Sequence, residues 1–304
     1  MRSNLLTFTL NKFDYKSALL GIAFVLMWSS AFTSAKVLVQ YSPPLFILAI
    51  RFLISGSIGI LLAYLMGQRM AFSKNEWKVI IIFGICQNSI YLGLNFTAMK
   101  WIDAGIGAVI ASTLPIMVAT FSLIMGRENL NILRLFGLCI GFSGVLLIMI
   151  QRIEDPSSIL GLFFCSVGAI ALAIATIVVN KTATKGENIL MIVGLQMLIG
   201  SLTLFPVALM IEDWFLKPTL PFFISFCYTT IFPGLVGTVI WLKLVGRIGA
   251  TQASSYHFLN PFLGVVTAAV LLSENLTLLD YSAVIIITVG IVIIQRKLGT
   301  SNRD

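Results

Sequence analysis

Residues 101–131 read WIDAGIGAVIASTLPIMVATFSLIMGRENLN, and residues 247–277 read RIGATQASSYHFLNPFLGVVTAAVLLSENLT. Set one above the other, they align without a gap at an offset of 146. Pro115 falls on Pro261, and Glu128-Asn129-Leu130 falls on Glu274-Asn275-Leu276. Upstream, PPLFILAIRFLISG (43–56) resembles NILMIVGLQMLIG (188–200) with one residue of slippage. A fixed internal period of this length marks a duplicated unit.

Both copies lie in a chain that is 58% hydrophobic and 11% charged over 304 residues. Its mean hydropathy is +1.00. Apolar runs of about 20 residues read as transmembrane helices, not as the alternating segments of about ten residues that build a membrane barrel. Ten such runs are expected, at 17–39, 45–66, 77–98, 103–125, 132–150, 158–180, 189–211, 219–242, 251–272 and 279–295. The reading is an all-α integral membrane protein. Residues 1–16 form a cytoplasmic segment, 17–150 and 158–295 form two five-helix repeats, and 296–304 form a cytoplasmic tail. Five is odd, so the second unit enters the membrane from the opposite side and the repeats are inverted. Inverted repeats are characteristic of secondary transporters, which bind substrate near the bilayer midplane between the halves.

Charge supplies the orientation. With the N-terminus in the cytoplasm, the segments on that side hold fifteen Lys and Arg, while the other side holds only Lys36, Lys100, Arg152 and Lys217. An excess of Lys and Arg marks the cytoplasmic face, so both termini are expected there, in a multi-pass cell (inner or plasma) membrane protein. The same anchoring charges account for the net charge of +8. No basic cluster is dense enough to bind nucleic acid. Cys86, Cys139, Cys165 and Cys227 fall inside the apolar runs without metal-ligand spacing, so no metal or cofactor is expected. The first span is too long for a signal-peptide core and is expected to be retained. The NLT at 275–277 sits in a tight turn and reads as a chance match to a glycosylation sequon.

The stretch WSSAFTSAKVLVQYSPPLFILAIRFLISG at 28–56 carries Trp28, Lys36 eight residues on, and Arg51-Phe52 in the second span. Each repeat also has a proline followed thirteen residues later by a glutamate. This ordered set, over nearly the whole chain, resembles the EamA family of the drug/metabolite transporter superfamily. The second unit departs from the pattern: Gln196 lies near the slot of Arg51, and the sixth span has no Trp. The resemblance implies a transporter, in a family that moves amino acids, metabolites, drugs and nucleotide-sugars. It implies no particular substrate.

Polar residues inside the spans are the candidate site. Pro261 has no N–H, so the carbonyl of His257, four residues back, is expected to be free, and the helix to bend. Pro115 does the same to Ala111. Thr251, Ser254, His257 and Pro261 share an arc of about 120°, flanked by Asn260. Ser112 shares a face with Ala108, Ala111 and Pro115. His257 and Asn260 are therefore candidate substrate ligands in a central cavity, the alternative being a hydrogen bond to a neighbouring helix. In CQNSIYLGLN (86–95), Gln87, Asn88, Tyr91 and Asn95 fit one arc of about 100°. That stripe is either cavity wall or interhelical glue. Trp28, Phe32 and Lys36 form a stripe of about 80° on the first span. Lys36 and Arg51 either snorkel to the interface or attract a carboxylate or phosphate.

No Asp or Glu lies deep in any span, so proton coupling would fall to His257, and facilitated diffusion is the alternative. Gly137, Gly141, Gly144 and Gly290 are expected to let the fifth and tenth spans pack closely, within a monomer or across a homodimer. The expected partners are membrane lipids and a small-molecule substrate. The expected function is a secondary transporter, exporter or facilitator, moving small organic metabolites such as amino acids by alternating access. A flippase of a lipid-linked substrate is the alternative. An integral-membrane enzyme is disfavoured, because one histidine and span-end acids do not make a catalytic constellation.

Overall fold

Hydrocarbon offers no partner for backbone N–H and C=O groups, so each apolar run must satisfy itself as helix. A computed structural model of the protein describes residues 14–102, 104–126, 131–150, 159–183, 188–263, 266 and 278–295, and among these there is no strand. The helices are α1 (Tyr15–Tyr41), α2 (Pro44–Leu65), α3 (Lys74–Ala98), α4 (Ala104–Ile124), α5 (Ile132–Ile150), α6 (Ile159–Ala183), α7 (Ile189–Ile211) and α8 (Leu220–Ile248). Then come α9, which starts as Ala250–Ser254 and is described to residue 263, and α10 (Leu278–Gln295).

Seven of these, α1–α4 and α6–α8, are long and apolar enough to cross a membrane. α5 and α10 supply shorter apolar stretches, Ile132–Leu147 and Tyr281–Gln295. The expected count of ten is therefore met by length in seven of the described helices. Asp103, Glu128, Glu274, the NLT sequon, the 151–157 loop and residues 1–13 and 296–304 lie outside the described residues.

The helix ends follow from local chemistry. Asp14 caps α1, accepting from Ser17 N at 3.3 Å. Ser73 and Glu76 form a reciprocal capping box at the start of α3. Gly249, at φ 85°, turns the chain from α8 into α9 in a conformation that other residues rarely adopt.

The duplication is written into the backbone as well as the sequence. α3 widens to a π-helix over Gly84–Leu92, and α8 does so over Thr230–Val236. Their starts differ by 230 − 84 = 146 residues, the offset of the sequence repeat. α4 breaks at the Ser112–Thr113 turn just before Pro115, and α9 tightens to a 3-10 turn over Ser255–Leu259 just before Pro261. Here the structure corrects the expectation of a free carbonyl. Asn260 N–H donates to His257 O, so the tighter turn replaces the donor that Pro261 lacks.

Two helix pairs cross at glycines. A Cβ on Gly56 would lie 2.9 Å from Gly194 O, and one on Gly194 would lie 2.8 Å from Ile60 N, so α2 and α7 touch backbone to backbone. α5 and α10 do the same, with Gly290 against Gly141 N at 2.5 Å from an added Cβ. Lipid gives no hydrophobic drive to helix association, and close packing of small residues supplies it instead. The α5–α10 glycine contact expected from sequence is thus made within one chain.

The α2–α7 pair is also tied at both ends. Glu212, just past α7, accepts from Leu45 N (2.9 Å) and Phe46 N (2.8 Å) at the start of α2. Gln68, just past α2, accepts from Met191 N at 3.0 Å at the start of α7, and Asn188 accepts from Arg69 N at 3.3 Å. Each helix end caps the start of its partner. Outward, α2 exposes Leu53, Ile58 and Leu61, while Arg51 and Ser55 are buried. Polar groups inside and apolar groups outside fit a helix facing lipid.

Candidate functional site

The π segments put polar side chains where helices would otherwise pack tightly. An extra residue in a helical turn widens it and is frequent at functional sites. In α3 the wider turn brings Gln87, Asn88 and Tyr91 into one wall, with Asn95 one turn on. Trp28, Phe32 and Ala35 of α1 face them, and Arg51 and Phe52 come from α2. The second repeat adds Met197 of α7 and Pro233 and Thr238 of α8, the former inside the second π segment. Together they line one cavity between the two repeats.

Polar contacts shape this wall. Asn88 Nδ2 donates to Gln196 O at 2.9 Å and also to Gln196 Oε1, tying α3 to α7. Asn95 donates to Tyr91 O at 2.9 Å and accepts from Cys165 Sγ at 3.4 Å. Trp28 and Tyr91 stack, with ring centroids 6.0 Å apart and planes 5° apart. Gln87 Oε1 and Arg51 Nε are buried and have no hydrogen-bond partner among the described residues. The Arg51 guanidinium lies over the rings of Phe52 (4.9 Å) and Phe96 (5.6 Å).

The structure brings Trp28, Phe32, Gln87, Asn88, Tyr91 and Asn95 to this cavity, together with Arg51, for which snorkelling or attracting an anion were the expected alternatives. Five others do not line it. His257 is fully buried, with the rings of Phe24, Trp28 and Trp241 edge-on to it at 5.2, 5.7 and 5.4 Å. Its Nδ1 pairs with Asn260 Nδ2 at 2.9 Å. Trp28 touches both this pair and the cavity, whereas Phe24 and Trp241 pack on the His257 ring without lining the cavity. Ser254 donates to Thr251 O at 3.0 Å, and Ser112 donates to Val109 O, so both hydroxyls are spent within their own helices. Lys36 donates to Met99 O (3.0 Å) and Ile102 O (2.8 Å), where α3 ends; it neither snorkels freely nor lines the cavity. Pro115 follows the turn that interrupts α4, and Pro261 follows the 3-10 turn in α9.

A second cluster closes the molecule at the Asp14 end. Arg247, in the last turn of α8, donates from Nε and Nη2 to Asp14 at 2.9 and 3.0 Å, and from Nε to Ser17 Oγ at 2.9 Å. Asp14 also accepts from Ser17 Oγ at 2.7 Å. The hydrogen bond from Arg247, with that from Ser17, holds the Asp14 carboxyl far below the usual carboxylate range. One turn in, Tyr256 OH reaches Ser17 O (3.3 Å) and Gln295 Oε1 (3.2 Å), joining α9 to α1 and α10. The Tyr256 ring lies over Gly21 so closely that a Cβ there would come within 2.2 Å of it. Along α1, then, Asp14, Ser17, Gly21 and Phe24 form a plug, and the cavity begins at Trp28.

The EamA-like transporter family matches residues 15–150 and 159–296. The chain is 27% identical over 283 residues to the uncharacterized transporter YvbV of Bacillus subtilis, covering 93% of this chain and 92% of that protein. It is 24% identical over 280 residues to the uncharacterized inner membrane transporter YedA of Escherichia coli K12, covering 90% of this chain and 88% of that one. A solved crystal structure superposes with a TM-score of 0.74 at 18% identity, covering 92% of this chain and 96% of its own, and so shares the fold.

Proposed function

The chain belongs to the EamA-like transporter family and is a multi-pass membrane protein, and on that premise we propose that it is a secondary transporter moving small organic metabolites across the cytoplasmic membrane by alternating access. Amino acids fall within that class. The observation that carries this reading is a cavity lined by residues of both repeats, with the Asp14–Arg247 and Tyr256–Ser17 contacts on its Asp14 side, which we read as a plug toward one membrane face. A solute bound at Trp28, Arg51 and Gln87 is separated from the Asp14 end by the plug. Release to that side requires α1, α8 and α9 to part. The proposed topology has ten spans in two inverted units with both termini cytoplasmic, which makes the plug a cytoplasmic gate and this conformation outward-facing.

Proteoliposome uptake against a panel of amino acids, carboxylic acids, nucleosides and phospho-sugars tests the activity. Saturable uptake of at least one class is expected, and Trp28→Ala should lower it, because Trp28 forms one face of the cavity. Absence of uptake across the panel would argue against transport. Topology is checked separately. Reporter fusions at residue 304 and within 151–157 are expected to report opposite sides, since the basic residues divide fifteen to four. Reporters on the same side would overturn the inverted arrangement.

A further inference from the structure

Arg51 is only 4% exposed, yet its Nε has no partner, and among the described residues no carboxylate is paired with it. A guanidinium cannot shed its proton to escape burial. Two aromatic faces, Phe52 and Phe96, compensate only a small part of the cost of holding an ion out of water. Of the described residues lining the cavity, Arg51 is the only charged one. The described lining of the cavity therefore carries one positive charge and no negative one.

We propose that the cavity selects small organic monocarboxylates, with the carboxylate forked on Arg51 and an apolar body against Trp28, Tyr91 and Phe32. The proposal rests on the transport reading above and narrows it. A carboxylate matches the guanidinium in charge and planar geometry. A phosphoryl group carries close to two negative charges and would leave one uncompensated. A zwitterionic amino acid would bring an ammonium into a cavity whose described lining holds no Asp or Glu and only neutral acceptors, among them the unpartnered Gln87 Oε1. The cavity thus favours a plain acid over its amino-acid counterpart.

The test uses the purified full chain and five probes that share one ring: hydrocinnamate, its neutral amide, phenethylamine, L-phenylalanine and phenyl phosphate. Equilibrium binding is measured by calorimetry for wild type, Arg51→Gln and Arg51→Lys, and uptake is measured in proteoliposomes. Hydrocinnamate should bind tightest, about 10- to 100-fold tighter than the amide. Arg51→Gln should erase that margin by weakening the acid while leaving the amide unchanged. The ligand-free thermal midpoint of Arg51→Gln should rise, because an unpaired buried charge has gone. A merely structural arginine would give a fall. If Arg51→Gln does not fold, the acid-to-amide ratio in wild type and its reduction in Arg51→Lys carry the test. Equal binding of acid and amide, a preference for phenyl phosphate or L-phenylalanine, or no binding by any probe would overturn the proposal. Uptake of panel solutes without an acid preference overturns it while leaving transport standing. Arg51-dependent binding of the acid without uptake does the reverse.

Discussion

A protein carrying Asp14→Cys and Arg247→Cys, in a background without the four native cysteines and bridged by a short bis-thiol reagent, is expected to stop transporting and to recover on reduction. In the structure the two side chains meet at 2.9 Å and join the start of α1 to the end of α8. Behind them Tyr256 and Gln295 bind α9 and α10 to the same corner. If this corner must open for solute to leave, a covalent bridge removes the open state from the cycle. Initial uptake should fall at least about tenfold, since turnover requires both states to be populated. Binding from the opposite face should persist. Full cross-linking with unchanged uptake would show that the corner is static.

The native ion pair also has a defined pH range. Because the folded carboxyl titrates below its unfolded value, its stabilising contribution is complete above that unfolded value and is lost only as pH falls through the folded one. Between about pH 5 and pH 9 the pair stays charged, so any pH dependence of transport in that window has another source.

Gly194→Leu is expected to damage folding severely. An added Cβ there would lie 2.7 Å from Ile60 Cγ1, 2.8 Å from Ile60 N and 3.0 Å from Gly56 O. Two of these contacts are backbone, which cannot rotate away, so α2 and α7 must separate. Overpacking of this kind costs about 1–3 kcal/mol, and more when backbone is displaced. Fluorescence-detected gel filtration should show loss of the monodisperse peak, or a clear drop in thermal midpoint. Gly105→Ala is the control, since an added Cβ there has no neighbour within 4 Å, and alanine favours helix over glycine. Wild-type stability for Gly194→Leu would refute the close crossing.

The repeat was legible because identities at a constant offset survive without knowledge of the fold: Pro115 and Pro261 announce paired helix breaks. The stripe Gln87, Asn88, Tyr91 and Asn95 was legible from periodicity alone, and it lines the cavity. The π-helices were not, since α3 widens over a stretch that contains no proline. Periodicity also fails to say what covers a face. His257 and Asn260 share one, but Phe24, Trp28 and Trp241 arrive from distant sequence to seal it. Arg51 could be read as snorkelling or anion-attracting, and only burial against Phe52 and Phe96 separates the two. The reciprocal caps of Glu212 and Gln68 carry no sequence signal, because each acts on a helix more than a hundred residues away.

Those caps limit how the molecule can move. Two antiparallel rods riveted at both ends and touching at the middle can tilt as one body but cannot slide past each other. A slip of one helical turn, about 5.4 Å, would tear out the rivets at both ends together. An elevator-like carriage of solute along α2 and α7 is thereby disfavoured. In the proposed transport cycle Arg51 and Met197, mounted on those rods, would stay at a fixed depth, and the barrier would travel around the solute.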